Sequence, residues 1–325
     1  MTKSKLLWLL ATFLLITAPI EAQQSRISRV GVLGPGKIEE LPPIKGLRDG
    51  LRDAGYVEGK NLLLDIPNVK TYDELRPVAK GYVEKQVNVI VPHGGTATGL
   101  AKEITKEIPI VFIWGVTDPV RAGLVKSLAR PETNITGLTS YVGSEIFGKR
   151  LELFKELVPN LRRLAVLYNA RGENPGHLRT AALVRETAPK LGLVIDEKPA
   201  KSVDDVDKVL RNLSKETTDG IFIIDSGLFG EPCKKMPMIA IQKRLPFWGC
   251  ASWVEAALVS YEPDGYSVGR RGAWYVDRIF KGTKPGDLPV ERPMKFEFVV
   301  NLKTAKQIGL TIPPNVLVRA DKVIR

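Results

Sequence analysis

From Arg29 onward the chain alternates short apolar runs with amphipathic stretches, and this rhythm narrows the fold more than any other feature. Val30-Gly31-Val32-Leu33 is a first apolar run, closed by Gly34-Pro35-Gly36. Ile44, Leu47 and Leu51 then recur at helical spacing as far as Gly55, a residue type that readily takes the left-handed turn ending a helix. Leu62–Ile66, Val87–Pro92 and Ile108–Trp114 read as further strands, with helical stretches over Tyr72–Lys85 and from the His93–Thr96 turn to about Lys106. After a helix at Glu145–Leu157 the alternation restarts. Strands are predicted at Leu164–Tyr168, Leu193–Asp196, Gly220–Asp225 and Leu245–Trp248, with helices near Leu178–Leu191, Val203–Leu213 and Lys235–Lys243. Strands buried on both faces have no polar side to show, so short apolar strands alternating with helices predict parallel sheets flanked by helices. Two successive sets of about four strands predict two α/β lobes, in keeping with 325 residues at roughly 150 per domain. The tail breaks the rhythm with a long helix at Tyr266–Gly282, an alternating strand at Phe296–Val300 and a short helix at Leu302–Ile308. Late elements of this kind often return to lobes already built.

Residues 1–22 read as a targeting segment. Lys3 and Lys5 precede Leu6–Ala18, a 13-residue run without charge, and Pro19-Ile20-Glu21-Ala22 follows. A basic start, a short apolar stretch and a small residue at the exit make a secretory signal peptide, with cleavage expected after Ala22 and Ala18 as second choice. The run falls short of the about 20 residues a bilayer span needs, so an uncleaved anchor is the lesser alternative. No cysteine stands near the cleavage site to take a lipid. The mature chain is therefore expected outside the cytoplasm, in a periplasmic setting. The two cysteines, Cys233 and Cys250, do not make a disulfide scaffold or a C-x-x-C pattern, and an oxidising compartment leaves their pairing open.

Composition excludes a disordered chain and a fibre, with 44% hydrophobic and 26% charged residues. The net charge of +12 is spread singly along the chain rather than gathered in clusters. It reads mainly as solubility and not as a nucleic-acid surface, with attraction to anionic ligands or membranes left open.

Catalytic signatures are missing from the sequence: there is no G-x-S-x-G, no H-E-x-x-H and no Walker loop. Gly31–Gly36 resembles a dinucleotide-binding turn only loosely, with the wrong spacing and a proline in the turn. His93 and His177 are the only histidines, which leaves little material for a metal site. No catalytic residue, metal or cofactor is expected. A binding reading has more support, because ligands of open parallel sheets lie beyond the carboxyl ends of the strands, where helix N-termini offer unpaired N–H groups to an anion. The candidates there are Gly36 and Lys37 after the first strand, His93, Gly94, Gly95 and Thr96 after Val87–Pro92, and Trp114 and Asp118 after Ile108–Trp114. In the second half Asn169, Asp225 and Ser226 hold equivalent places. Each has a plainer alternative: Thr96 as a helix cap, Asp118-Pro119 as a turn, Asp225 as a turn cap rather than a partner for an ammonium group, and His93 as a packed side chain. One of Trp114, Trp248 and Trp253 is expected at the ligand, the others in the core or a wall.

At this point the sequence resembles a known family, the extracytoplasmic solute-binding proteins of ABC transporters in the tryptophan/tyrosine-binding-like group. The matching segments are Gly46–Leu62, Val87–Thr96, Ile108–Phe112, Asp118-Pro-Val120, Gly123–Pro131, Asn134–Leu138 and Gly148–Leu153. They continue with Tyr275–Ile279, Pro285–Pro289, Asn301–Ala305 and Gly309–Pro314, in order over essentially the whole mature chain. The chain departs from the family pattern at Ala256-Ala257, where glycines are usual, and at Cys250-Ala251-Ser252-Trp253. The resemblance implies the type I periplasmic binding fold: two hinged lobes around a central cleft, with residues 28–140 plus about 265–290 in one and 141–264 plus about 291–325 in the other. It also implies a monomer that closes on a small solute, an amino acid or an aromatic or organic acid, with the Thr96 loop holding an anionic group and Ser252 in the cleft-facing region. The loaded protein would dock on a permease and ATPase made of separate chains. Two rival readings remain at this point, a periplasmic input protein for a membrane receptor and a secreted α/β enzyme.

Overall fold

The computed structural model describes residues 27–116, 118–140, 142–143, 145–170, 175–224, 230–249 and 257–325. The signal segment lies outside them. Two compact units divide the chain: one runs to Gly137 and adds Gly269–Val290, the other holds Leu138–Val268 and Glu291–Arg325.

The first unit is built on β1 (Ser28–Leu33), β2 (Leu62–Asp65), β3 (Val89–Pro92), β4 (Ile110–Phe112) and β5 (Ile135–Gly137), in the spatial order β2-β1-β3-β4-β5. Every pair is parallel, with Val30 opposite Val89 and Ile110 opposite both Ile90 and Ile135. Helices α1 (Pro42–Asp53), α2 (Leu75–Glu84) and α3 (Gly95–Ile104) connect the strands. Proline opens α1, where a missing N–H costs nothing, and Ile44, Leu47 and Leu51 are wholly buried along one stripe. Burial of such a side chain is worth about 1.5–3 kcal/mol. The helix ends at Gly55 with φ +92°, and Tyr56 N reaches back to Leu51 O at 2.9 Å. The late helix α8, spanning Gly265–Phe280, joins this unit from Gly269 on. Gly269 lies so close to α1 that a Cβ there would stand 1.9 Å from Pro43 O, so only glycine permits the contact.

The second unit carries β6 (Arg163–Asn169), β7 (Val194–Ala200), β8 (Gly220–Ile224), β9 (Phe247–Trp248), β10 (Val259–Pro263), β11 (Phe296–Asn301) and β12 (Lys322–Ile324). Their order is β12-β11-β10-β9-β8-β6-β7. Around it lie α4 (Glu145–Leu157), α5 (Pro175–Thr187), α6 (Val203–Asn212), α7 (Gly230–Gln242), α9 (Leu302–Ile308) and α10 (Pro314–Leu317). Phe154, Phe222 and Trp248 form a buried aromatic cluster with ring centroids 5.6–6.5 Å apart. Trp248 is therefore a core residue.

Parallel-dominated α/β sheets flanked by helices are what the alternation predicts, with two corrections. The second sheet is not wholly parallel, because β10 and β11 run antiparallel. The first sheet has five strands rather than about four, and the second seven. The added elements β5, β10 and β12 are three to five residues long, too brief for periodicity to reveal them. Among the described residues no helix is long and apolar enough to cross a membrane.

Candidate functional site

Parallel pairing sets the carboxyl ends of β1, β3 and β4 side by side, and the loops that leave them interlock through the backbone. His93 N donates to Leu33 O at 2.8 Å, and Gly94 N donates to Trp114 O at 3.0 Å. His93 also pairs with Trp114 as a single parallel bridge. Gly115, with φ +78°, allows this approach, since a Cβ on it would stand 2.7 Å from Gly94 Cα. The structure thus sets the His93–Thr96 turn beside Trp114, and adds Gly34 and Gly115 to the same loop pair. A Cβ at Gly34 would meet the His93 Cβ at 3.2 Å. The signal for both added residues was a glycine just past an apolar strand.

Thr96 is not the helix cap. Gly94 is the N-cap of α3, with φ +104° and ψ 152°, and among the described residues no side chain caps that end. Its conformation lies in a region that side-chain-bearing residues seldom enter, which is why a glycine and not the threonine takes the position. Thr96 is exposed in the first turn, while the hydroxyl of the buried Thr98 donates to Gly94 O at 2.8 Å. Among the described residues nothing accepts the first-turn N–H groups of α3, which makes them open to solvent or a ligand. Tyr72, which sequence reasoning missed, brings its hydroxyl within 3.8 Å of the place a Gly94 Cβ would occupy. Nothing in the local sequence of Tyr72 marks it, because the approach comes from the loop before α2.

His93 is mostly buried, and that burial pushes its pKa down to about 4. The imidazole is neutral at physiological pH, with one donor and one acceptor nitrogen beside the open helix end. Trp114 is half-buried.

The other candidates make contacts of their own or lie outside the described residues. Gly36, with φ +82°, donates its N–H to Val69 O at 2.7 Å, and the exposed Lys37 leads into a short turn of helix at Ile38–Glu40. Asp118 is exposed, and its Oδ1 accepts Arg121 N at 2.9 Å while its carbonyl accepts Ala122 N at 3.0 Å, so the carboxylate holds its own turn. In the second unit Asn169 ends β6 opposite Ala200 and is half-buried. Asp225, Ser226 and Ser252 lie outside the described residues, as do Trp253 and Cys250. Among the described residues no group of three His, Cys, Asp or Glu side chains could hold a metal ion.

A family model described as ABC transporter substrate binding protein matches residues 35–324 of the chain. The chain belongs to that family. The match opens at Pro35, in the loop that follows β1, and so runs through both units of this substrate-binding protein. A tyrosine-binding protein of Clostridioides difficile (strain R20291) is 27% identical over 289 residues, which is 86% of this chain and 81% of that protein. The crystal structure of a conserved domain protein from Vibrio cholerae O1 biovar El Tor is 31% identical, with a TM-score of 0.73 over 92% of this chain and 100% of that one. An ABC domain from Streptococcus pneumoniae, crystallised in complex with L-Trp, is 24% identical with a TM-score of 0.72 over 91% of this chain and 99% of that one. The fold of this substrate-binding protein is the type I periplasmic binding fold.

Proposed function

We propose that this protein is an extracytoplasmic receptor that binds an amino acid or a related small carboxylate and delivers it, unchanged, to an ABC importer. The observation that carries the reading is the N-terminus of α3, which opens at Gly94 directly after His93 and is tied by Gly94 N to Trp114 O. A helix end with free N–H groups and a partial positive charge suits a carboxylate, and backbone glycines let it come close. His93 adds a donor or acceptor without adding charge, and the half-buried Trp114, whose backbone pairs with that of His93, is the aromatic residue of this loop pair. The tyrosine named for the Clostridioides difficile relative and the L-Trp in the Streptococcus structure favour an aromatic amino acid within this class.

The test is a thermal-shift screen on protein refolded to strip bound solute, with L-tyrosine, L-tryptophan, L-leucine and short organic acids. Binding stabilises by mass action, about 2.7 kcal/mol at a hundredfold excess over Kd. Calorimetry on Thr96→Ala then tests the α3 end, and Asp225→Ala tests the expectation for the second unit. Unchanged affinity in a variant removes that residue from the site. Recovery of the solute unaltered after long incubation sets binding apart from catalysis, and uptake in cells lacking the cognate permease tests delivery.

A further inference from the structure

The three passages by which the chain enters or leaves the second unit are tied to one another inside that unit. The first passage arrives at Leu138, which pairs with Glu291 at the start of the third, and Thr139 N donates to Glu291 O at 2.9 Å. The second passage leaves from the end of β10 through Asp264 into α8. Asp264 holds the start of that helix: Oδ1 accepts the N–H groups of Tyr266 at 3.0 Å and Ser267 at 3.3 Å, and Oδ2 accepts the Ser267 hydroxyl at 2.6 Å. The same carboxylate takes Lys295 Nζ at 3.0 Å, and Asp264 N donates to Lys295 O at 2.9 Å. Lys295 closes the third passage, one residue before β11.

Capping α8 needs only Oδ1, which asparagine supplies as well as aspartate. The charge on Asp264 therefore has a second use, at Lys295. The lysine side chain is 70% exposed, so the pair adds little to the stability of the whole molecule. Its effect is local, because the ion pair and the backbone hydrogen bond fix the same two residues to each other. We propose that Asp264 is a positioning residue that, through Lys295, holds the second and third passages as one joint, so that movement at the start of α8 is passed to β11. One consequence rests on the solute-binding reading: a loosened joint releases solute sooner.

Hydrogen–deuterium exchange on the ligand-free full chain tests the joint without any solute, comparing wild type with Asp264→Asn, Lys295→Gln and Lys295→Arg. In Asp264→Asn and Lys295→Gln the amide of residue 264, which donates to Lys295 O, should exchange about tenfold faster, a local opening that leaves the rest of the fold protected. Tyr266 and Ser267 should stay protected, since the cap survives, and Lys295→Arg should match wild type. Unchanged exchange at residue 264 in the two charge-removing variants, or an arginine variant that behaves like the glutamine one, overturns the proposal. Stopped-flow release of L-tryptophan gives the functional readout, with faster release expected in the same two variants and not in Lys295→Arg. Failure of wild type to bind L-tryptophan counts against the aromatic solute, whereas the exchange result decides the joint by itself.

Discussion

Arg150 and Glu262 form an ion pair almost out of reach of water, with Nη2 of the arginine 2.6 Å from the carboxylate and side chains 6% and 17% exposed. Arg150 Nε also donates to Tyr261 O at 3.0 Å, and its guanidinium lies 4.8 Å from the Phe147 ring centre. The arginine thereby fastens α4 to the end of β10. Removing one partner strands the other charge in a low-dielectric setting, so Arg150→Met should lose about 3–5 kcal/mol of stability. The double variant Arg150→Met/Glu262→Leu should recover much of that loss. Urea denaturation of the two variants checks it, and a double variant less stable than the single would contradict it.

His93 makes stability depend on pH. Its folded pKa, near 4, lies below the unfolded value near 6.5, so the unfolded chain binds the proton more readily. Stability from this residue is complete above about pH 6.5 and falls as the pH drops toward 4, by up to about 3 kcal/mol. His93→Gln should flatten the stability profile between pH 4.5 and 7 in denaturant titrations. An unaltered slope would show that another group is responsible.

The long alternation of the sequence made the strands of both units legible wherever they were apolar and preceded a helix, as in Val30–Leu33 with Ile44–Leu51. It could not show β5, whose Ile-Thr-Gly is too short to carry a period, nor the antiparallel turn of β10 against β11, since Val-Ser-Tyr-Glu-Pro gives no sense of direction. The His93–Thr96 loop was legible because glycines past a buried strand mark a close backbone approach. The sequence left open whether Thr96 caps the helix, because the choice between Thr96 and Gly94 turns on φ, which residue preference for threonine at caps cannot supply. Tyr72 was invisible for a different reason: it reaches Gly94 through a loop distant in sequence.

Gly115 is held by geometry on two counts, its φ of +78° and the 2.7 Å between its missing Cβ and Gly94 Cα. Gly115→Ala should cost about 1–3 kcal/mol through backbone strain and should also displace Gly94. Loss of solute affinity greater than the loss of folding stability accounts for is the expected result. Affinity left at the wild-type level would detach this loop from the site.

Ser202 caps α6 in a reciprocal arrangement with Asp205: Ser202 Oγ accepts Asp205 N at 3.1 Å, and Asp205 Oδ2 accepts Ser202 N at 3.0 Å. Ser202→Ala should cost about 1 kcal/mol. The variant lowers stability without touching the His93–Trp114 contacts, and so shows how much of any affinity loss in Gly115→Ala a loss of stability alone accounts for.

Titration calorimetry of solute-stripped protein with L-tyrosine and L-tryptophan tests the receptor reading most directly. One saturable site per chain, weakened by Thr96→Ala and returning its solute chemically intact, is the result this structure leads one to expect. Heat that never saturates with any amino acid or organic acid tried, or a solute recovered in altered form, would contradict it.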